Sequence, residues 1–191
     1  MFGDNEQVAP AAWAAIQART IALGFDMPSE ANTGSLLRLL AASKPGGRML
    51  ELGTGTGLAT AWLLDGLSAA ASLVSVDVDP VVQDVAREAL KDDRLRFVLA
   101  DGLDYVMAQP PGSFDLIFAD AWPGKYEALD HTLALLKRGG LYVIDDMLPQ
   151  PNWPEGHQTR VDALVSDLRA RPDLTMVSMG WASGLIVAAK G

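Results

Sequence analysis

Between residues 48 and 144, short apolar runs alternate with longer stretches whose apolar positions recur at helical spacing. The runs predict strands over residues 48–52, 73–78, 95–99, 114–119 and 141–144, with helices between them over 58–67, 80–91, 103–109 and 125–137. Strands and helices in strict alternation are the pattern of parallel βαβ units. After a helix over 158–171, two more strands are predicted over 175–179 and 185–189. Only Trp181-Ala182-Ser183-Gly184 lies in the gap's centre, too little for a crossover helix, so this pair reads as an antiparallel hairpin. The whole is an α/β chain: a doubly wound, Rossmann-like, seven-stranded sheet, mostly parallel with an antiparallel C-terminal strand. Two Ala- and Leu-rich helices, over 11–23 and 32–43, precede the first strand and offer a cap over a binding site or a contact between two copies in a homodimer. The long irregular stretch 147–157, with three prolines and Trp153, reads as a lid.

At 191 residues the chain fits one domain, 1–191, with ample apolar material for a core. Its net charge of −9 repels phosphate backbones and anionic lipid, which turns the search from nucleic acid and membranes to a small-molecule partner. The absence of cysteine excludes disulfides and thiolate chemistry. The opening MFGDNEQVAP has no long apolar run and reads as neither a secretory signal nor an anchor, so a cytoplasmic location is expected.

Candidate chemistry begins at Glu51-Leu52-Gly53-Thr54-Gly55-Thr56-Gly57, where the first strand meets its helix. Glycines there let the backbone turn sharply and approach a ligand. The spacing is G-x-G-x-G; a dinucleotide loop would carry its last glycine where Leu58 stands, which disfavours a nicotinamide-dependent oxidoreductase. Asp77 falls at the end of the second strand, where a carboxylate accepts the hydroxyls of a ribose, or else caps the next helix; Asp79 before Pro80 is the better cap. Asp101 and Gly102 end the third strand, placed for the amine of an adenine or, again, for capping. Acids at successive strand ends together with the glycine loop are more specific than any one alone, because open sheets bind ligands at that edge.

With these motifs the chain resembles the class I S-adenosylmethionine-dependent methyltransferases, and among them the catechol and caffeoyl-coenzyme A type O-methyltransferases, from Asn32-Thr33-Gly34 through the glycine loop to the terminal hairpin. The resemblance implies S-adenosylmethionine as cofactor, with Glu51, Gly53, Thr54, Gly55 and Gly57 at its methionine moiety, Asp77 at the ribose, Asp101 and Gly102 at the adenine, and Trp122 as an aromatic wall.

The fourth and fifth strands run into Asp120 and into Asp145-Asp146. Neighbouring strands lie about 5 Å apart, so three carboxylates can converge, and a hard divalent ion such as Mg²⁺ or Ca²⁺ would relieve their repulsion. The resemblance places metal ligands on the same Asp120, Asp145 and Asp146, the last position usually being Asn in the family. The alternative is that these aspartates cap helices or loops and hold no metal. A metal-bound hydroxyl loses its proton readily, which suits attack on a sulfonium methyl. The family's general-base lysine, however, falls on Pro123 here; Lys125 and His157 are the candidate replacements. The expectation is therefore an O-methyltransferase acting on a catechol-like or phenolic acceptor. Alternatives are a metal-independent methyltransferase for nitrogen or carboxyl acceptors and a non-enzymatic module binding a nucleoside or S-adenosylhomocysteine.

Overall fold

The computed structural model describes residues 8–191; the opening segment, read above for a leader signal, lies outside the described residues. Two helices, α1 (Trp13–Leu23) and α2 (Ala31–Ala42), lead into β1 (Arg48–Leu52), α3 (Leu58–Gly66), β2 (Ser72–Asp77), α4 (Pro80–Ala89), β3 (Leu95–Leu99), α5 (Gly102–Met107) and β4 (Phe114–Ala119). A single turn, α6 (Trp122–Lys125), and α7 (Leu129–Leu135) follow, then β5 (Leu136–Ile144), α8 (His157–Ala170), β6 (Leu174–Met179) and β7 (Leu185–Lys190). The seven strands form one sheet in the order β3-β2-β1-β4-β5-β7-β6. The first five pair in parallel; β7 runs antiparallel to both β5 and β6, as the short connection between the last two strands predicts.

Strand side chains alternate between two layers. Leu50, Leu52, Val74, Val76, Ile117, Tyr142 and Ile144 pack against Tyr105 and Val106 of α5, Leu133 and Leu135 of α7, and Leu164 and Leu168 of α8. Met49, Leu73, Leu116, Phe118 and Val143 face Ile16, Leu37, Leu63 and Val85 from α1 to α4. The Trp62 ring of α3 lies directly on the α2 backbone: a Cβ on Gly34 would lie 2.1 Å from Trp62 Cδ1, so glycine is the residue the packing admits.

Two expectations are corrected. The predicted helix over 125–137 is broken, because Ala128 (φ 53°) adopts left-handed backbone between α6 and α7. The fifth strand begins at Leu136, five residues early, since Leu136 pairs with Phe114 before a register shift brings Leu141 opposite Leu116. Among the described residues no helix is long and apolar enough to cross a membrane.

Glu51 alternates onto the face under α3 and is fully buried. Its Oε2 accepts from Thr60 Oγ1 at 2.6 Å and Ser75 Oγ at 2.5 Å, while Oε1 has no partner among the described residues. Thr54 Oγ1 lies 2.6 Å from Ser75 Oγ and accepts from Gln83 Nε2 at 3.1 Å, so one polar chain runs from α4 under the glycine loop to α3. Burial, opposed by the Ser75 and Thr60 hydrogen bonds, pushes the Glu51 carboxyl up to about 8. In the unfolded chain it ionises from pH 4.5. Between those values the folded state holds a proton that the unfolded state has lost, so this group's contribution is full at acid pH and lost as pH rises through about 8, with a slope approaching 1.4 kcal/mol per pH unit. Urea unfolding of Glu51→Gln against the parent, at pH 5 and pH 8, is expected to show the parent losing more stability over that interval; parallel pH profiles would contradict a protonated Glu51.

Candidate active site

A cavity of about 840 Å³ opens along the carboxyl edge of the parallel strands. Its floor is the loop after β1, where the chain reverses on Gly53 (φ 96°) and Gly55 (φ 51°). A Cβ on Gly53 would meet the Asp120 carbonyl oxygen at 2.6 Å, so the loop lies directly on the chain leaving β4. Asp77 anchors it: Oδ2 accepts from Gly55 N at 2.7 Å and Oδ1 from Asp79 N at 2.9 Å. Each oxygen keeps a second acceptor site for a ligand hydroxyl. Asp79 caps α4 through Val81 N, as read from the sequence.

Asp101 is the N-cap of α5, its Oδ1 accepting from Leu103 N at 2.7 Å and Asp104 N at 3.3 Å, and it also borders the cavity. Gly53, Thr54, Gly55, Asp77, Asp101, Gly102 and Trp122 all line the cavity. Glu51 and Gly57 do not. Glu51 lies beneath the loop in the polar chain described above, and Gly57 is pressed against α4, where a Cβ would meet that of Ala86 at 2.5 Å. A glycine cradle with free backbone, an acid at the second strand end and another at the third suit a nucleoside carrying a flexible cationic tail.

The far end of the cavity is built by β4 and β5. Ala119 pairs with Ile144, so Asp120 and Asp145 leave the sheet side by side. Asp120 Oδ2 accepts from Ser29 Oγ at 3.0 Å, and its Oδ1 lies 3.6 Å from Lys125 Nζ. Asp145 Oδ1 accepts from Ser183 Oγ and from Asp146 N. Burial raises Asp120 well above the ordinary carboxylate range, Lys125 opposing and Asp145 and Asp146 adding to the rise. Asp145 is lifted to about 6, chiefly by burial, against the Ser183 hydrogen bond. Asp146 sits at φ 57°, a conformation that Asp and Asn tolerate better than most residues, so the backbone alone accounts for its type.

As a metal site this arrangement does not fit. Among the described residues no group of three His, Cys, Asp or Glu side chains is disposed to hold an ion, and the cation beside Asp120 is the Lys125 ammonium. Lys125 and His157 both line the cavity. Trp153 lies tilted against His157 with ring centroids 4.5 Å apart, Tyr126 meets it edge-on at 5.3 Å, and Trp122 stands against Tyr126 at 5.8 Å. The Tyr126 hydroxyl lies 3.2 Å from His157 Nε2. Burial first, then Lys125 and Arg160, against Asp146, depress the His157 pKa below its ordinary 6.5 and so favour the neutral ring.

Sequence reasoning missed the link between α1 and α2. Phe25, Asp26, Met27, Pro28, Ser29 and Glu30 wall the cavity, and Asn152 Nδ2 of the proline-rich stretch reaches across to Asp26 O at 3.3 Å. Pro28 marked that link as irregular, but nothing local pointed Ser29 at Asp120. Ser183, in the hairpin connection, carried no signal at all.

A family profile described as "Methyltransferase domain" matches residues 50–147. The catechol O-methyltransferase of Mycobacterium tuberculosis is 32% identical over 153 residues, which cover 78% of this chain and 68% of that enzyme. In further mycobacterial relatives the match spans 62% or 52% of their length. Among solved structures, cofactor-bound Rv0187 from MTB superposes with a TM-score of 0.82 at 26% identity, covering 94% of this chain and 89% of that one. An O-methyltransferase from Bacillus cereus in complex with SAH has the same fold, with a TM-score of 0.85 at 21% identity over 98% of this chain and 94% of that one. Sequence, topology and the strand-edge cavity converge, and the chain belongs to the S-adenosylmethionine-dependent methyltransferases, within the O-methyltransferase family related to the catechol enzymes.

Proposed function

We propose that this protein transfers the methyl group of S-adenosylmethionine to a hydroxyl oxygen of a small phenolic or catechol-like acceptor. The observation that carries the reading is the continuity of one cavity, from Gly53, Asp77 and Asp101 at one end to Lys125, Asp145 and His157 at the other. In it, Asp77 takes the ribose hydroxyls, Asp101 with Gly102 the adenine edge, and the turn from Gly53 through Thr54 to Gly55 the amino-acid tail. Glu51 and Gly57 act through the shape of that loop. The acceptor ring lies between Trp122 and the Trp153 side of the cavity, where flat apolar faces favour an aromatic ring over an aliphatic one.

Bound S-adenosylmethionine supplies a methyl group on a cationic sulfur, open to in-line displacement by an electron-rich oxygen. As the oxygen–carbon bond forms and the sulfur–carbon pair returns to sulfur, the acceptor's hydroxyl proton must leave. His157 receives it: its lowered pKa favours the neutral imidazole, it lines the cavity, and Tyr126 and Trp153 pack against its ring. Lys125 lies instead against Asp120, its Nζ 3.6 Å from Oδ1.

Incubation with methyl-labelled S-adenosylmethionine and a panel of catechols and monophenols is expected to yield labelled aryl methyl ethers. Binding of the donor without transfer to any phenol would overturn the acceptor assignment. His157→Ala is expected to lower kcat by about a hundredfold or more while leaving donor affinity within a few-fold. Because the His157 pKa lies below its ordinary 6.5, kcat of the parent should hold level at neutral pH and fall only below that value. A pH profile that climbs through neutrality into the alkaline range would instead point to a base of higher pKa.

A further inference from the structure

Lys125 is the buried cation of the acceptor end, only 5% exposed, and its position is fixed by the backbone around it. The turn that carries it packs so tightly that a Cβ on Gly124 would meet Leu52 Cδ1 at 2.7 Å, and the Tyr142 hydroxyl donates to the Gly124 carbonyl. The ammonium is 3.6 Å from Asp120 Oδ1, beyond ordinary hydrogen-bond length. Among the described residues it has no hydrogen-bond acceptor, while the carboxylates around it are already served: Ser29 donates to Asp120, and Ser183 and Asp146 N donate to Asp145. A buried ammonium lining a cavity with its donors uncommitted is built to meet an oxygen of a ligand.

A divalent ion on the same carboxylates would need bare oxygens at about 2.0–2.6 Å and would sit within a few ångströms of a fixed positive charge. One cation excludes the other. We propose that the Lys125 ammonium is the resident cation of the acceptor site: it neutralises the Asp120 and Asp145 carboxylates and binds the acceptor oxygen as negative charge develops on it, so that methyl transfer needs no divalent metal. The inference rests on the proposed transfer to a hydroxyl oxygen, and it assigns to a side chain the electrostatic role that a metal would otherwise fill.

The test uses the full chain freed of metals by chelation. Mn²⁺ binding is followed by calorimetry, and transfer to a responsive phenol is assayed with EDTA or with added Mg²⁺, for the parent, Lys125→Met and Lys125→Arg. The parent is expected to show no saturable Mn²⁺ binding up to millimolar concentration, and the same rate within twofold under all conditions. Lys125→Met should lose about a hundredfold in kcat with donor affinity little changed. Lys125→Arg, keeping the charge, should recover at least tenfold over Lys125→Met. A parent that binds Mn²⁺ tightly, or that loses tenfold in rate in EDTA and regains it with Mg²⁺, overturns the proposal; so does a fully active Lys125→Met. Should Lys125→Met fail to fold, the parent's metal titration and EDTA response still decide. Failure to methylate any phenol would sink the acceptor reading alone, and the Mn²⁺ titrations would judge the lysine separately.

Discussion

Parallel register governs this site. Strands β1, β2, β4 and β5 run the same way and end at one edge, so whatever follows each of them is forced into a common space about one strand spacing from its neighbour. The chain uses that edge twice. After β1, glycines bring bare backbone close enough to a ligand, and Asp77 at the end of β2 holds the loop in shape by accepting from Gly55 N. After β4 and β5, aspartates emerge side by side, and their mutual repulsion has to be met by protons, by hydrogen bonds or by a cation.

The protein meets it with all three. Asp120 and Asp145 have raised pKa values, Ser29 and Ser183 donate to them, and Lys125 places a positive charge against Asp120. These partners come from distant parts of the chain: Ser29 from the link before α2, Ser183 from the hairpin and Lys125 from the turn after β4. The acceptor end is thus tied to three loops, whereas the donor end is held mainly by the glycine loop and the first residues of α4 and α5. Beneath the donor end, Glu51 sits in a hydrogen-bonded chain from Gln83 to Thr60 that stiffens the loop from below.

The strands and their order of connection were legible because a buried parallel sheet writes long apolar runs, and because the five-residue gap before Leu185 leaves room only for a hairpin. Asp77, Asp101, Asp120 and Asp145 were legible for the same reason: a strand end is a place that periodicity locates. What was hidden depended on backbone geometry or long-range contact. Ala128 gives no local hint that it will adopt a left-handed conformation, so the helix through 125–137 read as continuous. Glu51 shares a motif with residues that line the cavity, yet the alternation of β1 turns it to the opposite face from Leu50 and Leu52. The three aspartates suggested a divalent ion; only the folded chain shows that Lys125, displaced from the family's usual base position, lies among them.

The most direct test of the account is a calorimetric titration with S-adenosylhomocysteine, comparing the parent with Asp77→Ala and with reduced nicotinamide dinucleotide as a control ligand. The account requires one site per chain, binding weakened at least tenfold by loss of the Asp77 carboxylate, and no comparable affinity for the dinucleotide. Undiminished binding to Asp77→Ala, or preference for the dinucleotide, would contradict it.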